Sequence, residues 1–234
     1  MQILIPMAGM GLRFKNAGFE VPKPLIKVKN KTLIEHSVET LNISGQYIFI
    51  TRKYWNEYDS ILSEILKKLS PDSIEIKIDY NTNGSVDSCL LSEPFLKKND
   101  ELITTNCDQY LKWNSNEFLH YMNSNQAAGG ILTFTSTDPR HSFAKINQNR
   151  VIQIVEKKAI SNCSLVGVHY FKKSKYFLYS GKKLKKIVKN RECYVSETYN
   201  LLIEKKLKVI YFNLENGYYP LGVPEDLNNI NEIV

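Results

Sequence analysis

The chain has 234 residues, with 31 basic and 24 acidic side chains, a formal charge of +7 and a hydrophobic fraction of 43%. A chain of this length buries a sizeable core, and with no run of eighteen apolar residues the sequence predicts no membrane span. Four scattered cysteines (Cys89, Cys107, Cys163 and Cys193), with no Cys-x-x-Cys and no histidine at ligand spacing, argue against a zinc site or a disulfide framework.

The N-terminus enters a strand and a loop at once, so no signal peptide and a cytoplasmic location with reduced thiols are expected. The basic balance leaves three partner classes open: nucleic acid, an anionic membrane surface, or small polyanions such as nucleoside triphosphates. The densest basic run, Lys172 to Lys189, falls on a predicted helix and reads as a solvated face, and no nucleic-acid-binding module accompanies it. Neither repeat nor linker divides the chain, which predicts one domain over 1–234.

Alternating strand and helix patterns predict an α/β fold, doubly wound and Rossmann-like, with a mostly parallel, mixed central sheet and a smaller strand-rich lobe. Gln2 to Ile5 is a buried strand that opens directly on Gly9 and Gly11, whose flexibility allows a sharp turn and close backbone approach to a ligand. Arg13 and Lys23 add positive charge beside it, and Pro22 and Pro24 restrict the backbone around Lys23. Backbone N–H groups in such a turn make an anion-binding hollow. The loop is not a Walker A, because no Gly-Lys-Ser/Thr follows, nor a dinucleotide fingerprint, because the third glycine falls at Phe14.

Farther along, Leu25 to Val28 reads as a short strand. Thr32 to Leu41 reads as a helix with Thr32 and Glu35 in a capping box, and Gln46 to Thr51 as a buried strand. Tyr54 to Leu69 is a helix ending before Pro71, and Ser73 to Tyr80 is a strand. The segment from Asn81 to Ser88 then leads into a helix reaching about Lys97. Leu102 to Asp108 is an apolar strand with a polar end, and a carboxylate there stands where ligands bind in such sheets. A further helix begins near Ser115. From Gly129 the pattern turns strand-rich: Gly130 to Thr135, Ala144 to Asn147, Val151 to Val155 and Ser164 to Phe171, with a hairpin turn at 147–150.

Gly9-Met10-Gly11-Leu12-Arg13 followed by Pro22-Lys23-Pro24-Leu25 resembles the signature of the sugar nucleotidyltransferases. Gly84-Ser85 resembles the first two positions of that family's second motif, Gly-Thr-Ala, with Val86 departing at the third. Glu156-Lys157 resembles its Glu-Lys pair, and Gly167-Val168-His169-Tyr170 its Gly-x-Tyr strand. The segment from Glu192 to Asn200 resembles its acceptor-binding glutamate segment, with Glu192 and Glu197 both open for that role. Gly217 to Leu227 resembles the closing Asp-x-Gly-Thr-Pro-Glu-Asp-Leu, except that the second metal-binding aspartate falls at Pro220, which cannot ligate, and Val223 replaces threonine.

The resemblance implies a nucleotide-binding half over about 1–125 and an acceptor-binding half over about 126–234. It implies Met7, Ala8, Gly9, Gly11, Asp79, Asn83, Gly84 and Ser85 at the nucleotide, and Lys157, Gly167, Glu192 and Asn200 at the acceptor. Arg13 would meet the leaving phosphates, Lys23 the α-phosphate, and Asp108 would hold Mg²⁺, a hard cation commonly held by one or two carboxylates plus phosphate oxygens. With Pro220 in the aspartate position, either Asp108 and the phosphates suffice or Asp226 or Glu225 moves in.

A carboxylate at Asp79 accepts hydrogen bonds only, which favours the amino group of cytosine over the O4 of uracil, while Asn81 or Thr82 would not discriminate in this way. CTP is therefore the expected donor. Compact cytidylyltransferases of the superfamily include those acting on phosphocholine and, in capsule phosphoramidate synthesis, on phosphoglutamine. The Asn-, Lys- and Ile-heavy composition suits an AT-rich bacterial genome and the latter. The rivals are a hexose-1-phosphate nucleotidyltransferase, a catalytically silent nucleotide-binding protein, and a nucleotide-sugar-dependent glycosyltransferase. The last usually carries Asp-x-Asp where this chain has Asn106-Cys107-Asp108. The sequence leaves the oligomeric state open.

Overall fold

The computed structural model describes residues 1–230. In chain order the elements are β1 (Gln2–Pro6), α1 (Leu12–Asn16), β2 (Lys27–Val28), β3 (Lys31–Thr32), α2 (Leu33–Leu41), β4 (Gln46–Arg52), α3 (Tyr58–Leu69), β5 (Ile74–Ile78) and α4 (Ser85–Leu90). There follow β6 (Leu102–Thr105), β7 (Gln109–Leu111), α5 (Ser115–Ser124), β8 (Gly129–Thr135), β9 (Ser142–Asn147), β10 (Arg150–Glu156) and β11 (Cys163–Phe171). The chain ends with α6 (Ser174–Ile187), α7 (Thr198–Glu204), β12 (Val209–Asn213), β13 (Tyr218–Pro220) and α8 (Asp226–Ile230).

Nine strands form one sheet in the order β5-β4-β1-β6-β11-β8-β12-β10-β9. Ile3, Leu4 and Ile5 are fully buried because β1 lies mid-sheet with helices on both faces. Ile3 and Ile5 pack with Ile34 and Val38 of α2, Leu62 of α3 and Phe118 of α5. Leu4, pointing the other way, packs with Val86 of α4, Phe177 of α6 and Tyr199 of α7. A strand covered on both faces reads as a continuous apolar run, and each such side chain contributes roughly 1.5–3 kcal/mol on leaving water.

The first four strands, β5-β4-β1-β6, are all parallel. Beyond β6 the expectation of a mostly parallel sheet fails. β11 runs antiparallel to both β6 and β8, β10 runs antiparallel to β12 and β9, and in this half only β8 and β12 run parallel. β9 also pairs with β11 through Ser164 and Phe143, so β11-β8-β12-β10-β9 closes into a small barrel. Closure removes a free sheet edge.

Several boundaries differ from those read in the sequence, each for a local reason. α3 begins at Tyr58 rather than Tyr54, because Asn56 Oδ1 and Asp59 Oδ1 take the backbone N–H groups of Tyr58 and Tyr54. α4 ends at Leu90 rather than near Lys97, because Pro94 lacks an N–H and disfavours helix before it. The stretch expected as a strand from Leu25 is a single 3₁₀ turn at Lys23–Leu25 followed by the two-residue β2. β6 stops at Thr105, so Asp108 stands in the loop beyond the strand rather than at its last residue. The strands β7, β12 and β13 were not read from the sequence.

The capping box at α2 is present: Thr32 Oγ1 accepts from Glu35 N, and Glu35 Oε2 accepts from Thr32 N. Thr32→Ala should cost about 1 kcal/mol, seen as a fall of roughly 2–4 °C in Tm with KM values unchanged. The lysines of α6 face solvent and acids: Lys182 pairs with Glu93, Lys183 with Glu204 and Lys185 with Asp87. Such exposed pairs add little stability. Among the described residues no helix is long and apolar enough to cross a membrane.

Candidate active site

The site lies at the carboxyl ends of β1, β4 and β6, where an open parallel sheet offers a crevice. Gly11 has φ +63°, and a β-carbon there would stand 3.1 Å from Lys23 Cβ, so glycine lets Lys23 close on the turn. Gly9 is different. Nothing of the protein lies within 4 Å of where its β-carbon would be, and the residue lines three cavities. The space kept free at Gly9 is the cleft itself.

Lys23 Nζ donates to Asp108 Oδ2 at 2.5 Å and lies 3.4 Å from Gly222 O. Burial pulls the Lys23 ammonium down, but the Asp108 carboxylate beside it more than offsets this and holds the group above the usual lysine value. Asp108 is brought here by pairing far along the chain. β7 pairs with β13, with Pro220 opposite Gln109, and Leu221 N donates to Asp108 O at 2.8 Å. Pro220 thus serves this small ladder, and Gly222 packs over Asp108: a β-carbon on it would meet Asp108 Oδ2 at 3.4 Å and Asp226 Oδ2 at 3.8 Å.

Asp226 therefore does come beside Asp108, but its carboxylate is occupied. Oδ2 accepts from the backbone N–H groups of Gly222 and Val223 at 3.0 and 3.1 Å. Oδ1 lies 3.6 Å from Arg140 Nη1. No cluster of three or more potential metal-ligating side chains exists among the described residues. Beside Lys23 the donor set is the Asp108 carboxylate with Asp226 already committed, which fits a hard cation that takes its other ligands from phosphate oxygens and water, as Mg²⁺ commonly does. It does not fit a metal bound by protein alone.

Two cavities meet at Gly9, Arg13, Lys23 and Glu192. The first, about 510 Å³, is lined by the β1 loop from Ala8 to Phe14 and by Arg52, Asn81 and Thr82. Arg52 Nε donates to Ala8 O at 2.9 Å and its Nη2 to Asn81 Oδ1 at 2.6 Å, clamping the two loops together. Sequence reasoning missed Arg52, although its position at the carboxyl end of a parallel strand was a signal. Met7 is buried and lines a smaller pocket shared with Asp108.

The second cavity, about 530 Å³, is lined by Arg13, Lys23, Ser85, Asp108, Lys157, Gly167, Glu192 and others. Gly167 is required by close approach, since a β-carbon would fall 2.1 Å from Asn106 Nδ2. Lys157 holds a left-handed φ of +53°, a conformation that costs a non-glycine residue of order 1 kcal/mol or more. Its Nζ donates to Tyr194 OH at 2.6 Å, and that hydroxyl donates to Glu192 Oε2. Glu156 Oε2 accepts from the hydroxyls of Ser142 and Ser196. Arg140 also lines this cavity. Neither Arg140 nor Tyr194 was singled out in the sequence, where nothing local marks them.

Other residues implied by the resemblance are not brought to these cavities. Asp79 is exposed just after β5 and lines neither, whereas its neighbours Asn81 and Thr82 line the first. Asn83 and Gly84 are used in holding the segment 191–195: Asn83 Nδ2 donates to Arg191 O and Cys193 N to Asn83 O. Asn200 binds the backbone of Ile154 with both ends of its amide and lines a separate groove. Glu197 is spent on Arg191, at 2.6 and 2.9 Å, and on Tyr194 N. Of the two glutamates left open by the sequence, only Glu192 lines the cleft where the two cavities meet.

No family model matches the chain. Across 97% of its length it is 22% identical to the mannose-1-phosphate guanyltransferase of Candida albicans and 24% identical to that of Saccharomyces cerevisiae. It covers 62% of each of these relatives. It is also 24% identical to the bifunctional protein GlmU of Thermosipho melanesiensis, of which it covers 45%. Among solved structures it superposes on the nucleoside-diphosphate-sugar pyrophosphorylase of Vibrio cholerae RC9 with a TM-score of 0.84 at 24% identity, covering 98% of this chain and 99% of that one. The inositol-1-phosphate CTP transferase of T. maritima superposes with a TM-score of 0.79 at 16% identity, covering 99% of this chain and 94% of that one. The chain thus has the fold of these sugar-phosphate nucleotidyltransferases.

Proposed function

We propose that this chain is a Mg²⁺-dependent nucleotidyltransferase that moves a nucleoside monophosphate from a nucleoside triphosphate to a phosphorylated small molecule and releases pyrophosphate. The observation that carries this reading is the convergence of Arg13 and Lys23 on the seam between two cavities, with Asp108 paired to Lys23 on the second, beside the open space at Gly9. A triphosphate lying along the glycine turn would put its charge against Arg13 and Lys23. The acceptor, entering from the side of Lys157, would face the α-phosphorus across that seam.

An anionic oxygen of the acceptor phosphate attacks the α-phosphorus, the bond to the bridging β-phosphate oxygen breaks, and its electron pair leaves with pyrophosphate. The attacking oxygen is already deprotonated, so no general base is required. Catalysis then rests on positioning and on charge stabilisation. Arg13 holds the leaving phosphates, Lys23 follows charge from the α-phosphate toward the leaving group, and Lys157 orients the incoming phosphate. Asp108 would hold the Mg²⁺, which neutralises phosphate charge when bound. Lys23, now paired with Asp108, would turn to the phosphates as the carboxylate takes the cation.

More finely, we propose CTP as the donor and phosphoglutamine as the leading acceptor. The second cavity carries carboxylates, Glu156 and Glu192, alongside the cations Lys157 and Arg140. That mixture suits an acceptor with ammonium and carboxylate groups in addition to its phosphate. The carboxylate that motivated CTP, Asp79, is not in the cleft, so the CTP reading rests on the resemblance to compact cytidylyltransferases, with Asn81 and Thr82 the side chains left beside the base. The test is pyrophosphate release with Mg²⁺, crossing CTP, UTP, dTTP, GTP and ATP against sugar-1-phosphates, phosphocholine and phosphoglutamine. CTP turnover at least tenfold above the other nucleotides is expected. Preference for GTP or UTP with a hexose-1-phosphate would overturn the finer reading, and nucleotide binding with no pyrophosphate from any pair would overturn the reaction.

A further inference from the structure

Four buried side-chain polar atoms among the described residues have no hydrogen-bond partner, and three of them belong to one place: Thr104 Oγ1, Gln109 Oε1 and His169 Nδ1. Buried polar groups are nearly always paired, and each exception needs a cause. Thr104 and His169 are register partners on β6 and β11, which puts their β-carbons about 4.5–5.5 Å apart on one face of the sheet. Both line the second cavity, next to Asn106 and Gly167. The unpaired atoms are buried while the residues that carry them line the cavity, so a rotamer change at Thr104 or a ring flip at His169 could turn them toward it.

We propose that Thr104 and His169 form a subsite for an uncharged hydrogen-bonding group of the acceptor, a hydroxyl or an amide carbonyl. The inference deepens the proposed function and rests on it. Burial holds the His169 ring far below the usual histidine range, at about 4, so the ring is neutral at physiological pH. The pair therefore brings no charge to the floor of the cavity, in contrast to Lys157, Arg140 and Glu192 at its wall. A neutral hydroxyl and a neutral imidazole can each both donate and accept a hydrogen bond. An acceptor whose only polar group is its phosphate, or whose tail is a quaternary ammonium, leaves both unmet. Sites built to bond such a group discriminate strongly against analogues lacking it.

The test uses Thr104→Val and His169→Phe in the full chain. If these groups serve a ligand, Thr104→Val removes an unmet buried hydroxyl and should raise Tm by about 2–4 °C while raising acceptor KM at least tenfold, with the KM for the nucleotide unchanged. His169→Phe should do the same to acceptor KM, and both variants should lose discrimination between an acceptor and its deoxy or carbonyl-free analogue. In ¹⁵N-histidine-labelled protein, titration with sugar-1-phosphates or phosphoglutamine should move the His169 ring nitrogen signal, and phosphocholine should not. A fall in Tm with unchanged acceptor KM would assign the pair to the fold and overturn the subsite while leaving the reaction standing. If no pair of substrates turns over, the reaction fails separately. The His169 signal then decides alone, and a ring unmoved by every compound in the panel overturns the subsite.

Discussion

Asp108→Asn is expected to lower kcat for pyrophosphate release by about 10³-fold, or roughly 4 kcal/mol of transition-state stabilisation. The substitution keeps the side chain's shape, and the amide oxygen can still accept from Lys23 Nζ, so circular dichroism should be unchanged. What is lost is the carboxylate that faces Lys23, and its neighbour Asp226 cannot replace it, being committed to Gly222, Val223 and Arg140. The effect on binding has the opposite sign. Arg13, Lys23 and Arg52 surround the first cavity, and removing a negative charge next to them should tighten metal-free nucleotide binding by about 3–10-fold. Opposite changes in kcat and in metal-free affinity are hard to produce by general damage. A kcat within tenfold of the parent would show that Asp108 serves only as the partner of Lys23 and would remove the metal site from the mechanism.

What could be read in the sequence was what lies close together along it. Gly9, Gly11, Arg13 and Lys23 fall within fifteen residues of one another, and the Thr32–Glu35 cap spans a single helical turn. The neighbours of Asp108 were hidden because they arrive through long-range pairing: β13 delivers Gly222 and Asp226 from more than a hundred residues away. Asp79 shows how thin the local signal is. It stands two residues from Asn81, but Arg52 draws Asn81 to the cleft while Asp79 stays exposed. Asn200 was placed by the same kind of local signal, but a helix residue can face the cleft or the sheet behind it, and here Ile154 takes both ends of the amide. Strand direction was beyond reach as well. An apolar run such as Gly130 to Thr135 reads the same in either sense, so the barrel closing through Ser164 and Phe143 left no mark.

Gly84→Ala should destabilise the protein by about 3 kcal/mol or more and lower Tm by roughly 6–12 °C. The residue has φ +95°, which alanine adopts only under strain. Its added β-carbon would lie 2.5 Å from Cys193 O and 2.6 Å from Cys193 N, both backbone atoms that cannot swing aside. Gly18→Ala is the control: its φ is +87°, but nothing lies within 4 Å, so it should show only the conformational penalty, about 1 kcal/mol. The difference between the two is the contact with the segment 191–195. That segment is stitched to the loop at Gly84 by Cys193 N to Asn83 O, Val86 N to Cys193 O and Val195 N to Ser85 Oγ. It carries Glu192 and Tyr194 into the cleft, while the same loop presents Asn81 and Thr82 to the first cavity. Pushing the two apart should therefore raise KM for nucleotide and acceptor together, whereas Thr32→Ala lowers Tm alone. Equal losses for Gly84→Ala and Gly18→Ala would mean that this contact yields easily, and Gly84 would no longer be the joint that keeps the two cavities in register.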